Sequence, residues 1–321
     1  MSNIQLRTPV AFLIFNRPDT TEKVFAEIAK AKPQKLLVVA DGPRSDHPED
    51  AKKCAASRAI IERVDWDCEV LTNYSDVNLG CKRRVSSGLD WVFENVEEAI
   101  ILEDDCLPSN SFFWYCQELL KHYRNDKRVM HLCGSNFQFG RQYGEGSYYF
   151  SKYAEMWGWA TWRRAWKFYD VNMKTFPEFL IQNQINSIFE SENLQRYWLG
   201  TMERTYNCTI NTWDYQWIYA IWIQNGLCII PNVNLISNIG FGNDSTHSWN
   251  ENDKVIKMTN KEILNIEHPI FFIIDREADL YHTEMRFIQS KIQNQGIIIK
   301  IKNIINSVAH KTKKFLIKHL K

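Results

Sequence analysis

The chain has 321 residues, 45% hydrophobic and 13% aromatic, enough for one large core or two closely joined ones. Its formal net charge is +1, yet nine lysines and arginines and no acid follow Glu284. The preceding body therefore carries about −8, so composition gives no ground for a nucleic-acid partner. Eight cysteines, with no CxxC pair and no framework spacing, read as reduced core residues of a cytosolic protein. The apolar stretch Val10–Phe15 is too short for a secretory h-region, and no apolar run reaches the ~18–20 residues of a membrane span.

Val10–Phe15 predicts a buried strand, followed by Asn16-Arg17-Pro18-Asp19. Pro18 stops the ladder, and Asp19 or Thr20 is placed to cap a helix to about Lys30. Leu36–Ala40 predicts a second strand, closed by Asp41-Gly42-Pro43-Arg44, with a helical stretch near Pro48–Val64. Glu69–Thr72 is a third strand, Asn78-Leu79-Gly80 a turn, and Lys82–Phe93 a helix with Val85, Leu89, Val92 and Phe93 on one face. Ala99–Leu102 is a fourth strand, ending in Glu103, Asp104 and Asp105. A helix over Phe112–Tyr123 and a strand over Val129–Cys133 complete a pattern of alternating strands and helices. That pattern predicts an α/β fold with a mostly parallel sheet.

Beyond residue 136 tryptophans crowd the chain, and helices and loops are expected beside the sheet. Trp213–Gln224 predicts a helix, Leu227–Pro231 a strand, and Gly240–Asp244 a turn-rich loop. Residues 1–285 are expected to form one globule, with residues 1–135 holding the donor and 136–285 the acceptor. Residues 286–321 form a tail whose Ile301, Ile304, Ile305, Val308, Phe315 and Leu316 recur at helical spacing opposite lysines. Such a basic amphipathic helix suits an anionic membrane surface, here the inner face of the cell membrane, or docks back on the domain.

Polar groups gather where the strands end: Asn16 and Arg17, Asp41, Asn78 with the Lys82-Arg83-Arg84 trio, and the three acids. In a parallel sheet these ends line one crevice. Three adjacent carboxylates repel one another unless a cation neutralises them, and hard oxygen donors suit Mg²⁺ or Mn²⁺. The convergence suits a nucleotide, with an amide or carboxylate for the base, acids and a metal for ribose and diphosphate, and arginine for phosphate charge. Trp157 and Trp159, either side of Gly158, offer flat faces for a sugar, though most tryptophans are core. His247 is a loop candidate for the metal or the diphosphate.

With these residues in view, the chain resembles nucleotide-sugar glycosyltransferases of the GT-A (Rossmann-like) fold. Within these it is most similar to the N-acetylglucosaminyltransferase I type and its bacterial relatives. The resemblance runs over roughly residues 8–250 and is carried by Ile100–Pro108 with Phe112-Phe113, supported by Asn16-Arg17, Asp41, Arg83, Trp157-Gly158-Trp159 and Trp213-Asp214. It implies that Asp105 ligates Mn²⁺ (or Mg²⁺), while Glu103 and Asp104 hold ribose or metal-bound water. It further implies that Asp41 accepts a hydrogen bond from the base, favouring UDP, and that Arg83 contacts phosphate or ribose. Asp214 is the implied catalytic base, with Glu155 in reserve. The expected activity is inverting transfer from a nucleoside diphosphate sugar to a hydroxyl of a glycan or lipid-linked acceptor, as in polysaccharide biosynthesis. The alternatives are nucleotidyl transfer to a sugar phosphate and a non-catalytic carbohydrate- or membrane-binding module.

Overall fold

The computed structural model describes residues 5–241, 255 and 257–285. The chain divides into two units, residues 1–275 and 276–321. The first begins with β1 (Val10–Ile14), α1 (Pro18–Ala31), β2 (Lys35–Ala40), α2 (Asp50–Ile61), β3 (Glu69–Tyr74) and α3 (Gly80–Asn95). It continues with β4 (Glu98–Glu103), β5 (Cys106–Pro108), α4 (Asn110–Tyr123) and β6 (Val129–Cys133). Then come β7 (Tyr148–Ser151), β8 (Trp159–Trp162), α5 (Arg163–Trp166), α6 (Phe176–Ile181), α7 (Ile185–Ile188), α8 (Glu192–Tyr206), α9 (Asp214–Ile223), β9 (Leu227–Pro231) and β10 (Ile236–Asn238). In the second unit the described residues form α10 (Arg276–Thr283). The proposed tail helix within 286–321 lies outside the described residues. Among the described residues no helix is long and apolar enough to cross a membrane.

The main sheet has eight strands in the order β3-β2-β1-β4-β8-β6-β9-β7. β3, β2, β1 and β4 are parallel, and β6 and β9 run with them. β8 is antiparallel between β4 and β6, and β7 is antiparallel at the edge beside β9. The mostly parallel α/β architecture expected from the sequence is thus present. Burial on both faces explains why β1 and β2 read as unbroken apolar runs. Val10, Phe12, Leu36, Val38, Ile100 and Leu102 join one core with residues of α1, α2 and α4. On the other face α3 lies so close that a Cβ on Gly88 would strike the Val39 side chain.

Two local features differ from the sequence reading. Neither Asp19 nor Thr20 caps α1; Pro18 opens it, because a proline there gives up only an N–H that the first turn cannot use. β5 and β10, each three residues long, form a separate antiparallel pair with Asn238 opposite Cys106. This pair brings the end of β10 back over the acids that follow β4.

The strand order reverses between β1 and β4. From β1 the chain builds outward through β2 and β3, while β4 adds on the opposite side. Ligands of open α/β sheets bind at such a point, beyond the carboxyl ends of the strands. At the neighbouring end of β2, a Cβ on Gly42 would lie 2.5 Å from the Val77 carbonyl carbon. Gly42→Ala should therefore lower stability by about 2 kcal/mol through overpacking, read as a lower urea midpoint with unchanged slope. A variant that unfolds with the wild type would show that these two loops do not touch.

Candidate active site

Leu13 of β1 pairs with Glu103 of β4, so the residues after each strand emerge together. The Phe15 amide donates to Asp104 Oδ2 at 3.1 Å. Arg17 Nη1 lies 2.8 Å from Asp105 Oδ2 and 3.6 Å from Asp104 Oδ1. The Thr21 amide and hydroxyl both donate to the Arg17 carbonyl, at 2.9 and 2.7 Å, and anchor its backbone to the first turn of α1. Burial, reinforced by the charge of Asp105, and for Glu103 also by those of Asp104 and Asp214, holds Glu103 and Asp104 well above the ordinary carboxylate range; Arg17 opposes this only in part. Gly240, just past β10, packs so tightly on Asp105 that a Cβ there would lie 2.9 Å from Asp105 Cγ. The Ile239 amide donates to the Asp105 carbonyl at 2.8 Å.

The start of α9 carries a further acid, Asp214. Asp214 Oδ1 accepts hydrogen bonds from the Thr212 hydroxyl and, at 2.9 Å, from the Tyr215 amide. Oδ2 has no hydrogen-bond partner among the described residues. Burial, with a contribution from Glu155, raises the Asp214 pKa. Its charge also raises the pKa of Glu103 and of Cys81, so the three side chains lie near one another. Although Cys81 is exposed to solvent on one side, the protein packed around its sulfur and those carboxylates push the thiol up to about 12.

A buried aromatic column sets the position of Asp214. His131 accepts at Nδ1 from Trp217 Nε1 (3.1 Å), so its Nε2–H donates to the Glu155 carbonyl (3.0 Å). Burial lowers its pKa to about 4, so the ring is neutral. His131 stacks on Trp159 at 5.0 Å, and Trp159 on Trp213 at 5.7 Å. The two acids proposed for proton transfer, Asp214 and Glu155, thus stand at two ends of one packed unit.

Several expected contacts are placed otherwise. Asp41 accepts four hydrogen bonds, from the amides of Gly42, Leu79 and Gly80 and from Asn78 Nδ2, at 2.9–3.1 Å. A carboxylate offers about four acceptor positions, so Asp41 braces the start of α3 and has none left for a base. Of the basic trio, Arg84 is buried and bonds the Ala40 carbonyl (3.1 Å) and Asn73 Oδ1 (2.7 Å). Arg83 is exposed, with no bonded partner among the described residues. Trp159 is fully buried in the column above and cannot stack on a sugar. Trp157 is half-buried and packs against Phe137 (5.1 Å) and Phe241 (5.9 Å). β8 runs opposite to β4 with Trp159 opposite Ile101, so Trp157 falls beyond the same sheet edge as the acids. His247 lies outside the described residues.

One group was absent from the sequence reading. Asp50, 3% exposed at the start of α2, takes Arg44 Nε at 2.6 Å, Arg44 Nη2 at 3.0 Å and Asn16 Nδ2 at 2.7 Å. These hydrogen bonds, Arg44's foremost, hold its pKa far below the ordinary value. An acid early in a predicted helix, six residues after an arginine, was the only signal.

The donors suit a divalent ion shared with a ligand. Glu103, Asp104 and Asp105 supply hard oxygens, yet no three His, Cys, Asp or Glu side chains among the described residues enclose an ion by themselves. Mg²⁺-type ions commonly bind one or two carboxylates and take the rest of their shell from phosphate and water.

No family model and no curated protein matches this chain. Among solved structures it is similar to the mannosyltransferase PcManGT from Pyrobaculum calidifontis in complex with GDP-Man and Mn²⁺ (14% identity, TM-score 0.34), over 50% of this chain and 45% of that one. The chain thus spans less than half the length of that enzyme. It is also similar to a 4-diphosphocytidyl-2C-methyl-D-erythritol synthase from Anaerococcus prevotii (11% identity, TM-score 0.31), over 55% of this chain and 76% of that one. A third is a UDP-glucose pyrophosphorylase complexed with UDP-glucose (11% identity, TM-score 0.27), over 47% and 64%.

Trp157→Ala should leave the melting temperature within about 2 °C while weakening sugar-dependent binding, whereas Trp159→Ala should cost about 3–5 kcal/mol of stability. Equal melting of the two variants would contradict their placement. Acids whose folded pKa is raised stabilise the fold at low pH and lose that contribution as pH rises. In EDTA, stability should therefore fall as the pH climbs from the ordinary carboxylate range of about 4 through about 7 and 8, where Asp104 and Glu103 ionise. A thermal-melt series that is flat or rising over that span would remove the charge crowding inferred at the end of β4.

Proposed function

We propose that this chain is a divalent-cation-dependent glycosyltransferase that moves a sugar from a nucleoside diphosphate, UDP favoured, to a hydroxyl of a glycan or lipid-linked acceptor, with inversion. The observation that carries this reading is the under-compensated acid cluster at the β1/β4 switch point, near Asp214 with its one unpartnered carboxylate oxygen. The narrower likeness to the N-acetylglucosaminyltransferase I type rests on the sequence motif alone.

In this reading Asp105 holds the cation directly, and Glu103 and Asp104 hold ribose or cation-bound water. Once bound, the cation supplies charge neutralisation for the departing diphosphate. Arg17 donates hydrogen bonds to the same phosphates. Asp214 Oδ2 takes the proton of the acceptor hydroxyl as that oxygen attacks the anomeric carbon. The new C–O bond forms while the bond from that carbon to the phosphate oxygen breaks, and the electron pair leaves with the diphosphate. A base of raised pKa suits proton transfer near neutral pH. Glu155 is the reserve base, and Trp157 offers a flat face to the sugar.

The β1–α1 connection disfavours nucleotidyl transfer. It is the three residues Phe15-Asn16-Arg17, without glycine, and the Phe15 amide is already spent on Asp104. Such a link is shorter than the glycine-rich loops whose backbone amides cradle a triphosphate.

With Mn²⁺ and a panel of UDP-sugars, the protein should release UDP, and Asp105→Ala should abolish this. Asp214→Asn should lower kcat by about a hundredfold to ten-thousandfold, with calorimetric affinity for UDP and Mn²⁺ changed less than about threefold. Wild-type turnover by the Asp105 variant would remove the cation assignment. Wild-type kcat in the Asp214 variant would move the base to Glu155.

A further inference from the structure

We infer that a second cavity, beyond the ends of β6 and β9, binds an anionic group of the acceptor saccharide, a carboxylate or a phosphate, through Lys257 and Lys261. This deepens the transferase reading above and rests on it, since only that reading makes a bound saccharide an acceptor. The cavity has a volume of about 380 Å³, within the range of small-ligand sites. Its wall includes Asn136, shortly after β6, and residues 232–234, directly after β9. Both strands run with β4, so the cavity lies beyond the same sheet edge as the acids. At about 4.8 Å per strand, β6 stands about 10 Å and β9 about 15 Å from β4. That is too far for the attacked hydroxyl itself and within reach of a unit further along the same acceptor chain. Phe137, next to Asn136, packs on Trp157, so the cavity wall is continuous with the ring offered to the sugar.

The wall is set by its own hydrogen bonds. Asn232 accepts from the Tyr143 amide at 2.9 Å and donates to the Tyr143 and Gly146 carbonyls at 2.8 Å. Asn234 accepts from the Asn136 amide and donates to the Thr259 carbonyl, both at 3.1 Å. The Lys261 amide donates to the Asn234 carbonyl at 2.7 Å, which ties the lysine-bearing segment to the end of β9. With those side-chain amides spent on backbone, the charged donors of the cavity are the two ammonium groups. No acid lines it, and among the described residues neither lysine has an ion-pair partner. Two like charges on one concave surface without a counter-charge favour an anionic occupant. Phe139 adds the apolar part. It is half-buried in the wall at φ 50°, a left-handed conformation that a bulky residue adopts only under constraint and that recurs at ligand sites. Its ring supplies a surface for the C–H face of a pyranose. Cations beside an aromatic ring match an acidic sugar. The donor diphosphate is not the occupant, because the acids that would hold its cation stand at β4.

Ligand-observed NMR of the full chain at low ionic strength, without metal, tests this with methyl glucuronide, its neutral methyl ester and glucose 6-phosphate. At least one of the two anions should bind about tenfold tighter than the ester, and the preference should shrink as salt is raised. The tighter of the two identifies a carboxylate or a phosphate as the group recognised. Both lysines are exposed, so Lys257→Ala/Lys261→Ala should melt with the wild type while its preference for the anion vanishes. Saturating UDP with Mn²⁺ should leave methyl glucuronide binding unchanged. Equal affinity for acid, phosphate and ester, an undiminished preference in the double variant, or displacement by UDP with Mn²⁺ overturns the assignment while leaving the donor reading intact. Glucuronide binding in a protein that binds no nucleoside diphosphate would remove the transferase reading, and with it the name acceptor, but not the anion site.

Discussion

The crevice is organised by a charge imbalance that the protein leaves in place. Glu103, Asp104 and Asp105 follow one another at the end of β4, in surroundings that penalise ionisation, and Arg17 is shared between the last two. A lone guanidinium cannot neutralise three carboxylates, and a nucleoside diphosphate would only add negative charge. An arrangement like this is stable as a set of partly protonated acids, or as a set of ionised acids with a further cation, but not as ionised acids alone. Sheet topology forces the imbalance: β1 and β4 are neighbours, so the polar residues that end each strand meet at the point where the strand order reverses.

Around that site the structure devotes strong polar groups to holding loops still. Asp41 spends its whole carboxylate on the start of α3, and Arg84 ties the ends of β2 and β3 together through Ala40 and Asn73. In the second half, the column of His131, Trp159, Trp213 and Trp217 anchors α9 without a charge. A base works only if its oxygen stays within hydrogen-bond reach of the reacting group, and a packed aromatic column is stiffer than a loop. The tryptophans of the second half thus serve mainly as framework, and Trp157, outside the column, is only partly buried.

The strands buried on both faces were legible from the sequence almost to the residue. Val10–Phe15, Leu36–Ala40, Ala99–Leu102, Val129–Cys133 and Leu227–Pro231 correspond to β1, β2, β4, β6 and β9. β7 and β8 were not, because Tyr148–Ser151 and Trp159–Trp162 carry aromatic and small polar residues instead of an aliphatic run. β5 and β10 are three residues each and exist only because they pair across a sequence separation of 128 or more, which no local pattern encodes. In the site, the meeting of Arg17 with the three acids followed from strand-end logic. The occupancy of Asp41 did not, since it depends on how the 78–80 turn folds back. Trp157 and Trp159 differ by two residues in sequence, yet one precedes β8 and the other begins it, and that step separates a half-buried ring from the core.

Two arginine–carboxylate contacts, both near the end of β1, show how similar chemistry yields a frame in one place and a reactive surface in another. Arg44 meets one buried carboxylate with two guanidinium nitrogens, and Asn16 completes that carboxylate's shell; charges balance, donors match acceptors, and Asp50 stays ionised. Arg17 meets two carboxylates through one nitrogen at unequal distances, with a third acid adjacent, and the balance fails. At the first contact the Asp50 carboxylate has no acceptor position left for a newcomer. The second favours whatever brings positive charge, because each added cation relieves repulsion that the fold cannot relax by moving β1 away from β4. Where a carboxylate is matched, as Asp50 is, it holds a loop in place, and where carboxylates are mismatched, as around Arg17, they are poised to bind a cation.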